Sequence, residues 1–306
     1  MKKYSNQIIS ILTFIILILV LLNKELVSTS ILSSLYIWYN TLVPSMFPMI
    51  VLSDILITYN STNIIPKLIT NSISKLFNIS KNATTIFFFS LISGFPTNAV
   101  IIKKAVDTNK ISTNEGEHLL LFCNFANPLF ILQTIGKFYL KNSTYAVIIL
   151  ISNILSNIII GTIFRKKNNP NTNYINYPDK NQSLGIILKD AISKAINSLF
   201  LVAGTITMFI ILTTLLSHIL NLNNILKLTI QSILELTMGL SYLSNLNLDD
   251  TIKVVISTAI LSFSGLSIHL QVYSILENIK YKNYLKGRIL STVLSSIIAF
   301  IIIKTI

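Results

Sequence analysis

The run Ser93-Gly94-Phe95-Pro96-Thr97-Asn98 lies in the middle of an apolar stretch, Ser90–Lys104, where a membrane helix should be densest in hydrocarbon. Gly94 permits a tight bend, Pro96 prevents a helix from passing through, and Ser93, Thr97 and Asn98 offer caps and polar ligands. A second interruption, "LSFSGLSIHLQV", presents Ser262, Ser264, Gly265, Ser267, His269 and Gln271. A third, "FCNFANPLF", breaks at Asn124, Asn127 and Pro128, and the i, i+3 spacing predicts both amides on one helix face. The chemistry these groups can do is reversible solute binding by amides, hydroxyls and freed backbone N–H groups. Intramembrane polar clusters mark sites by default, yet Gly-Pro kinks and Ser/Asn hydrogen bonds also serve helix packing in lipid. Taken singly, each residue reads equally as packing; the two Ser-Gly breaks, taken as a pair, read as a site. His269 by itself reads as a satisfied polar residue rather than a proton carrier.

The elements that must hold these groups are apolar helices. Of 306 residues, 52% are hydrophobic and 11% charged, against about 25% charged in soluble domains, which excludes a soluble globular protein. The runs Ile8–Leu22, Tyr145–Phe164, Leu199–Leu220 and Ile289–Ile303 approach the length that crosses a hydrocarbon core of about 30 Å. The composition predicts an all-α polytopic membrane protein. Residues 1–30 read as a retained transmembrane helix, because no small-x-small cleavage site follows the apolar core. The net charge of +13 sits in short loops, as orientation in a membrane requires, and does not point to nucleic acid. Cys123 is the sole cysteine, so no intrachain disulfide can form, and it reads as a packing residue. No phosphate-binding loop or nucleophile motif occurs, and His118, His218 and His269 lack ligand spacing, so no catalytic residue, metal or cofactor is expected. Glu235, in "ILELTMG", reads as interfacial and leaves the membrane interior without a carboxylate. Trp38, Tyr36 and Tyr39 read as an interfacial belt. Asp107, Glu115 and Glu117 beside Lys103, Lys104 and Lys110 read as a solvated loop before a helix capped at Ser112/Thr113.

The polar segment from Arg165, "RKKNNPNTNYINYPDKNQS", divides the chain, and residues 165–190 are expected to form a cytoplasmic basic linker. The flanking halves, 31–164 and 191–306, carry similar elements in the same order. "IPKLITNSISKL" (Ile65–Leu76) parallels "ILKLTIQSILEL" (Ile225–Leu236), and the two Ser-Gly breaks parallel each other. Repeats of this kind, often inverted, build transporters. If segments 84–106 and 251–276 both re-enter, Lys67, Lys75, Lys81, Lys103, Lys104, Lys110 and Arg165-Lys166-Lys167 gather inside, which the positive-inside rule favours. That topology inverts the halves and leaves Lys280, Lys282, Lys286 and Arg288 outside. Each re-entrant break then lies near the bilayer midplane, with a half-helix N-terminus turned into the protein, a suitable place for an anionic or polar solute.

"SGFPTNAVIIKKAVDTNKISTNEGEHLLLFCNFANPLFIL", together with "SILELTMGL" and "FSGLSIHLQVYSIL", resembles the YlbJ-type sporulation integral membrane proteins from about Leu35 onward. It departs from them at Thr97-Asn98, where the family has small residues. The family belongs to a wider group with the nucleoside-recognition Gate domain, which includes concentrative nucleoside transporters. The resemblance implies a Gate-like fold and a permease that moves dipicolinic acid from mother cell to forespore, in the mother-cell-derived outer forespore membrane. The expected partners are the bilayer, a small anionic solute and further copies of the chain in a homo-oligomer. Two other readings stand beside it: a permease of the same fold for nucleosides or other small solutes, and a non-transporting scaffold for spore cortex or coat assembly. The absence of an intramembrane carboxylate favours the anion over the nucleoside.

Overall fold

The computed structural model describes residues 2–59, 65–165, 183–220 and 222–305, and these form helices and connecting turns. Most of the expected linker, 166–182, lies outside the described residues. In chain order the helices are α1 (Lys2–Leu22), α2 (Lys24–Ile37), a π-helical turn π1 (Trp38–Leu42), α3 (Val43–Thr58), α4 (Lys67–Phe77), α5 (Lys81–Ser93), α6 (Thr97–Asp107) and α7 (Thr113–Phe122). They continue with a second π-helix, π2 (Phe130–Leu140), then α8 (Ser143–Ile163), α9 (Leu184–Ile219), α10 (Asn224–Leu234), α11 (Leu236–Ser244), α12 (Asp250–Phe263), α13 (Gly265–Leu276) and α14 (Lys282–Thr305). Among the described residues five helical runs are long and apolar enough to cross a membrane: Lys24–Thr58, Ser143–Ile163, Leu184–Ile219, Asp250–Leu276 and Lys282–Thr305. The chain is an all-α polytopic membrane protein.

The interior is a large apolar cluster, crossed at the α8–α14 contact by small polar side chains. On α8, Ser152, Asn153, Ser156 and Asn157 are buried, while Leu155 and Ile159 face outward; on α14, Ser291, Ser295 and Ala299 are buried, while Ile289, Val293 and Ile297 face outward. The two helices pack on each other, with Ser156 Oγ 3.0 Å from Ser291 Oγ. Small side chains let the backbones approach, and lipid receives the bulky apolar ones. Trp38 is not part of a free belt: its indole N–H donates to the Leu199 carbonyl at 2.9 Å and its ring stacks on Phe200, fixing π1 against α9. Tyr36 and Tyr39 are exposed.

Side-chain contacts define two ends of the bundle. At the first, Ser80 donates its N–H and Oγ–H to the Glu115 carboxylate at 2.7 and 3.0 Å, and Asn82 Nδ2 donates to the Lys110 carbonyl at 2.9 Å. The start of α5 therefore lies beside the end of α6, and that pair doubles back. The same end holds the ion pairs of Asp54 with Lys104 and Lys194, and of Lys103 with Glu277. It also holds Lys286 over the Phe164 ring and the Asn283 bond to the Glu117 carbonyl. At the second end, Tyr145 donates to Asp250, Lys253 to the Ser244 carbonyl and Tyr242 to Asn224. The pair α10–α11 doubles back from this second end. Segment α12–α13 starts at the second end, beside Tyr145, and finishes at the first, beside Lys103. Lys282 and Lys286 thus share the end that carries Lys104 and Arg165 and do not lie opposite them. Arg288 is in no loop at all: it is fully buried within α14.

Candidate functional site

Each interruption read from the sequence is an interruption in the structure. α5 stops at Ser93 and α6 starts at Thr97; between them Gly94 adopts φ +75°. α7 stops at Phe122, residues 123–127 are irregular, and the helix resumes at Pro128. α12 stops at Phe263, and Ser264 and Gly265 turn through φ +77° and +68° into α13. A fourth break, absent from the sequence reading, is Glu235 alone between α10 and α11.

The breaks meet in pairs. A Cβ on Gly94 would lie 2.5 Å from the Asn127 nitrogen, so only glycine lets this tip rest on the 123–127 gap. The Phe125 carbonyl accepts from the Phe95 N–H at 3.1 Å and from Asn98 Nδ2 at 2.9 Å, and Ser93 Oγ donates to Asn98 Oδ1 at 2.9 Å. Asn127 Nδ2 donates to the Ser93 and Ser45 carbonyls, while its Oδ1 accepts from the N–H groups of Leu129 and Phe130 at 2.8 and 3.2 Å. One amide therefore caps the resumed helix and binds it to α3 and to the first break. Asn124 does something else, donating to the Leu120 carbonyl behind it. Because 123–127 is not helical, the two amides share no face, contrary to the i, i+3 expectation. The other pair is formed by Gly265, whose Cβ would lie 2.9 Å from the Leu236 nitrogen. Glu235 is buried and caps α11, its Oε2 accepting from the Met238 N–H at 2.8 Å and from the Thr237 hydroxyl. The interfacial reading of Glu235 is therefore corrected: α10 ends at Leu234, the chain reverses, and the carboxylate turns inward.

Three of the breaks, and the first turns of α13 beyond the α12–α13 break, border one small cavity of about 30 Å³, room for about two waters. Phe95 and Pro96 come from the first break, Asn127 and Phe130 from the second, Glu235, Leu236 and Thr237 from the α10–α11 tip, and Ile268 and Gln271 from α13. Leu42 and Met46 on one side, with Val202 and Ile206 of α9 on the other, complete apolar walls. Gln271 Nε2 donates to Thr205 Oγ1 at 2.7 Å; its Oε1 is buried and has no partner. α11 begins at this place, and its positive dipole end faces the Glu235 carboxylate that caps it.

Of the residues singled out from sequence, Pro96, Asn127 and Gln271 line the cavity. Ser93, Gly94, Thr97, Asn98, Ser264 and Gly265 build the breaks behind it. Ser267 is buried with an unpartnered hydroxyl. His269 turns away: its Nε2 bonds the Phe263 carbonyl at 2.8 Å, which makes Nε2 the protonated nitrogen, and Nδ1 accepts from the Tyr281 hydroxyl. Sequence reasoning missed Glu235 and Thr237. For the first a general signal existed, a lone carboxylate between apolar segments, but its burial follows from the α10–α11 reversal, which the local sequence does not show.

No family model matches the chain, and no solved structure matches it. Among curated proteins it is similar to the sporulation integral membrane protein YlbJ of Bacillus subtilis (strain 168), with 22% identity over 312 aligned residues, covering 89% of this chain and 76% of that protein. The likeness extends through nearly the whole chain and supports a YlbJ-type integral membrane protein.

Proposed function

We propose that the chain is a secondary permease of a sporulating cell, and that its solute binds where the four breaks meet. The observation that carries this reading is the cavity, lined by three of the breaks and by α13 just beyond the α12–α13 break, with an apolar wall on either side. Irregular backbone at membrane depth persists only when buried in protein or lining a cavity, and half-helix ends at such a cavity are the binding groups of many secondary transporters. On this reading α5–α6 and α10–α11 are re-entrant hairpins entering from opposite ends, and α7–π2 and α12–α13 are broken crossing helices. The inverted halves then correspond as α3 with α9, hairpin with hairpin, broken helix with broken helix, and α8 with α14. This pairing replaces the one that matched the two Ser-Gly breaks to each other. The end rich in lysine and arginine is cytoplasmic. Binding and alternating access involve no covalent step.

The relative's name supplies sporulation, and the family resemblance supplies dipicolinic acid, moved from the mother cell across the outer forespore membrane. The α11 N-terminus at the cavity favours an anion, whereas an ionised Glu235 beside it would repel one, so on this reading the anion binds with Glu235 protonated. Glu235 also favours a second reading, an uncharged solute such as a nucleoside, for which an ionised carboxylate and the free Gln271 Oε1 are acceptors. The test is dipicolinate in separated mother-cell and spore fractions of cells lacking the chain. Mother-cell accumulation with depleted spores is expected, restored by wild type and not by Gln271→Leu. Normal spore dipicolinate overturns the substrate. Vesicle uptake then separates the two solutes: Glu235→Gln keeps anion uptake and flattens its pH dependence, but abolishes uptake of an uncharged solute.

A further inference from the structure

Arg288 has no role at the cavity, yet it is the most deeply buried charge described in the protein, 0% exposed within α14. The ion pairs among the described residues join Lys103, Lys104 and Lys194 to Asp54, Asp107 and Glu277; none involves Arg288. A buried, carboxylate-free guanidinium needs another source of negative potential. Two helix ends supply it. Nη1 donates to the Ser262 carbonyl at 3.2 Å, one of the last four carbonyls of α12 and an orphan because the helix stops at Phe263. Next to the arginine, a Cβ on Gly287 would fall 2.1 Å from the Leu121 carbonyl oxygen, so only glycine lets α14 lie against the C-terminal carbonyls of α7. Nη2 donates to Asn157 Oδ1 at 2.8 Å; Asn157 binds the Asn153 carbonyl, and Asn153 Oδ1 accepts the Ala126 N–H in the gap after α7. Asn153 Nδ2 closes the circuit on Ser262 Oγ. Each helix C-terminus carries about −0.5 charge, and two of them balance one guanidinium.

The ends of broken crossing helices, with their free carbonyls, are where secondary transporters of this build coordinate a coupling metal cation. We propose that Arg288 is a resident cation at that place, covalently tethered in α14, and that the protein therefore works without sodium. The inference rests on the permease reading for its functional consequence, but its physical content does not. A sodium ion entering between these helix ends would meet the guanidinium and be repelled by it. The tether also keeps the two broken helices joined through every conformation that leaves α14 in place.

The test needs no solute. Purified protein in lipid nanodiscs is melted in choline chloride and in equal ionic strengths of sodium, potassium and dilute guanidinium chloride. Wild type is expected to melt at one temperature in all four salts. Arg288→Ala is expected to melt several degrees lower in choline and to regain part of that loss, saturably, in sodium or guanidinium. Arg288→Gln, polar but shorter and uncharged, should resemble Ala, and Arg288→Lys, which keeps the charge on a long stem, should stay near wild type and indifferent to sodium. A saturable sodium shift in wild type overturns the proposal, as does an Arg288→Gln protein as stable as wild type. If Arg288→Ala does not fold, the Gln and Lys variants decide by the same comparison. Loss of the permease reading, through absent solute uptake, would leave these melting results standing; sodium-dependent uptake by wild type would overturn the resident cation alone.

Discussion

Single residues here matter through what their neighbours leave no room for. Gly94 adopts φ +75° and its missing Cβ faces the Asn127 backbone at 2.5 Å, so Gly94→Ala should cost on the order of 3 kcal/mol, combining backbone strain with displacement of a packed segment. Gly204 has nothing within 4 Å of its Cβ position and lies inside α9, so Gly204→Ala should be neutral or stabilising by up to about 1 kcal/mol. Unfolding titrations of the two purified variants check the contrast, and equal effects would show that Gly94 is not tightly packed. Glu235 is decided by its cap. Glu235→Ala removes the acceptor for the Met238 N–H and should cost about 1–2 kcal/mol, while Glu235→Gln keeps an acceptor and should cost less. The Gly94 break was legible because glycine and proline interrupt a helix wherever they stand. The place of Glu235 was not, because nothing local to "ILELTMG" reveals that α10 ends one residue earlier and that α11 folds back on it. Gly239, pressed against Ser232, marks that reversal only once the two helices are known to be neighbours.

At the level of elements, the middle of the bundle is held by polar side chains from α8, α12 and α14. Ser262 Oγ accepts from Asn153 Nδ2 at 3.2 Å and from Ser295 Oγ at 2.8 Å, and Asn157 receives Arg288. In hydrocarbon such groups have no water to turn to, so removing one partner strands the other. Asn157→Ala leaves Arg288 Nη2 without its acceptor and should cost about 2–3 kcal/mol, whereas Leu155→Ala, on the outward face of α8, should cost well under half as much. Thermal melts in one lipid composition would measure both; a larger loss at Leu155 would place the energetic centre of the bundle outside this network. The helices themselves were readable from apolar length, and the α7 cap from the hydroxyl pair Ser112/Thr113 after the charged loop, of which Ser112 is the cap. Their pairing was not. Similar words such as Ser-Gly recur in both halves in different settings, one between helices whose far ends meet and one between helices whose far ends lie apart, and only contacts such as Asn82 with Lys110 tell the two apart.

For the whole molecule, the distribution of charge and the path of α12–α13 make one claim about orientation. If that segment re-entered, Lys253 and Lys282 would face the same compartment. The contacts place Lys253 by Ser244 and α14's first turns by Glu117 and Phe164, at opposite ends of the bundle. With α12–α13 crossing, Lys282 and Lys286 join Lys81, Lys104, Lys110 and Arg165, and the positive-inside bias becomes consistent around the whole circuit of loops. Cys123 is fully buried, so an impermeant maleimide reports only on introduced thiols. In right-side-out vesicles Lys253→Cys should label directly, while Lys282→Cys and Thr108→Cys should label only after the membrane is opened. Labelling of Lys253→Cys and Lys282→Cys from one side would return α12–α13 to a re-entrant segment. It would also dissolve the correspondence between the two hairpins, and with it the argument that the four breaks form one solute site entered alternately from either face.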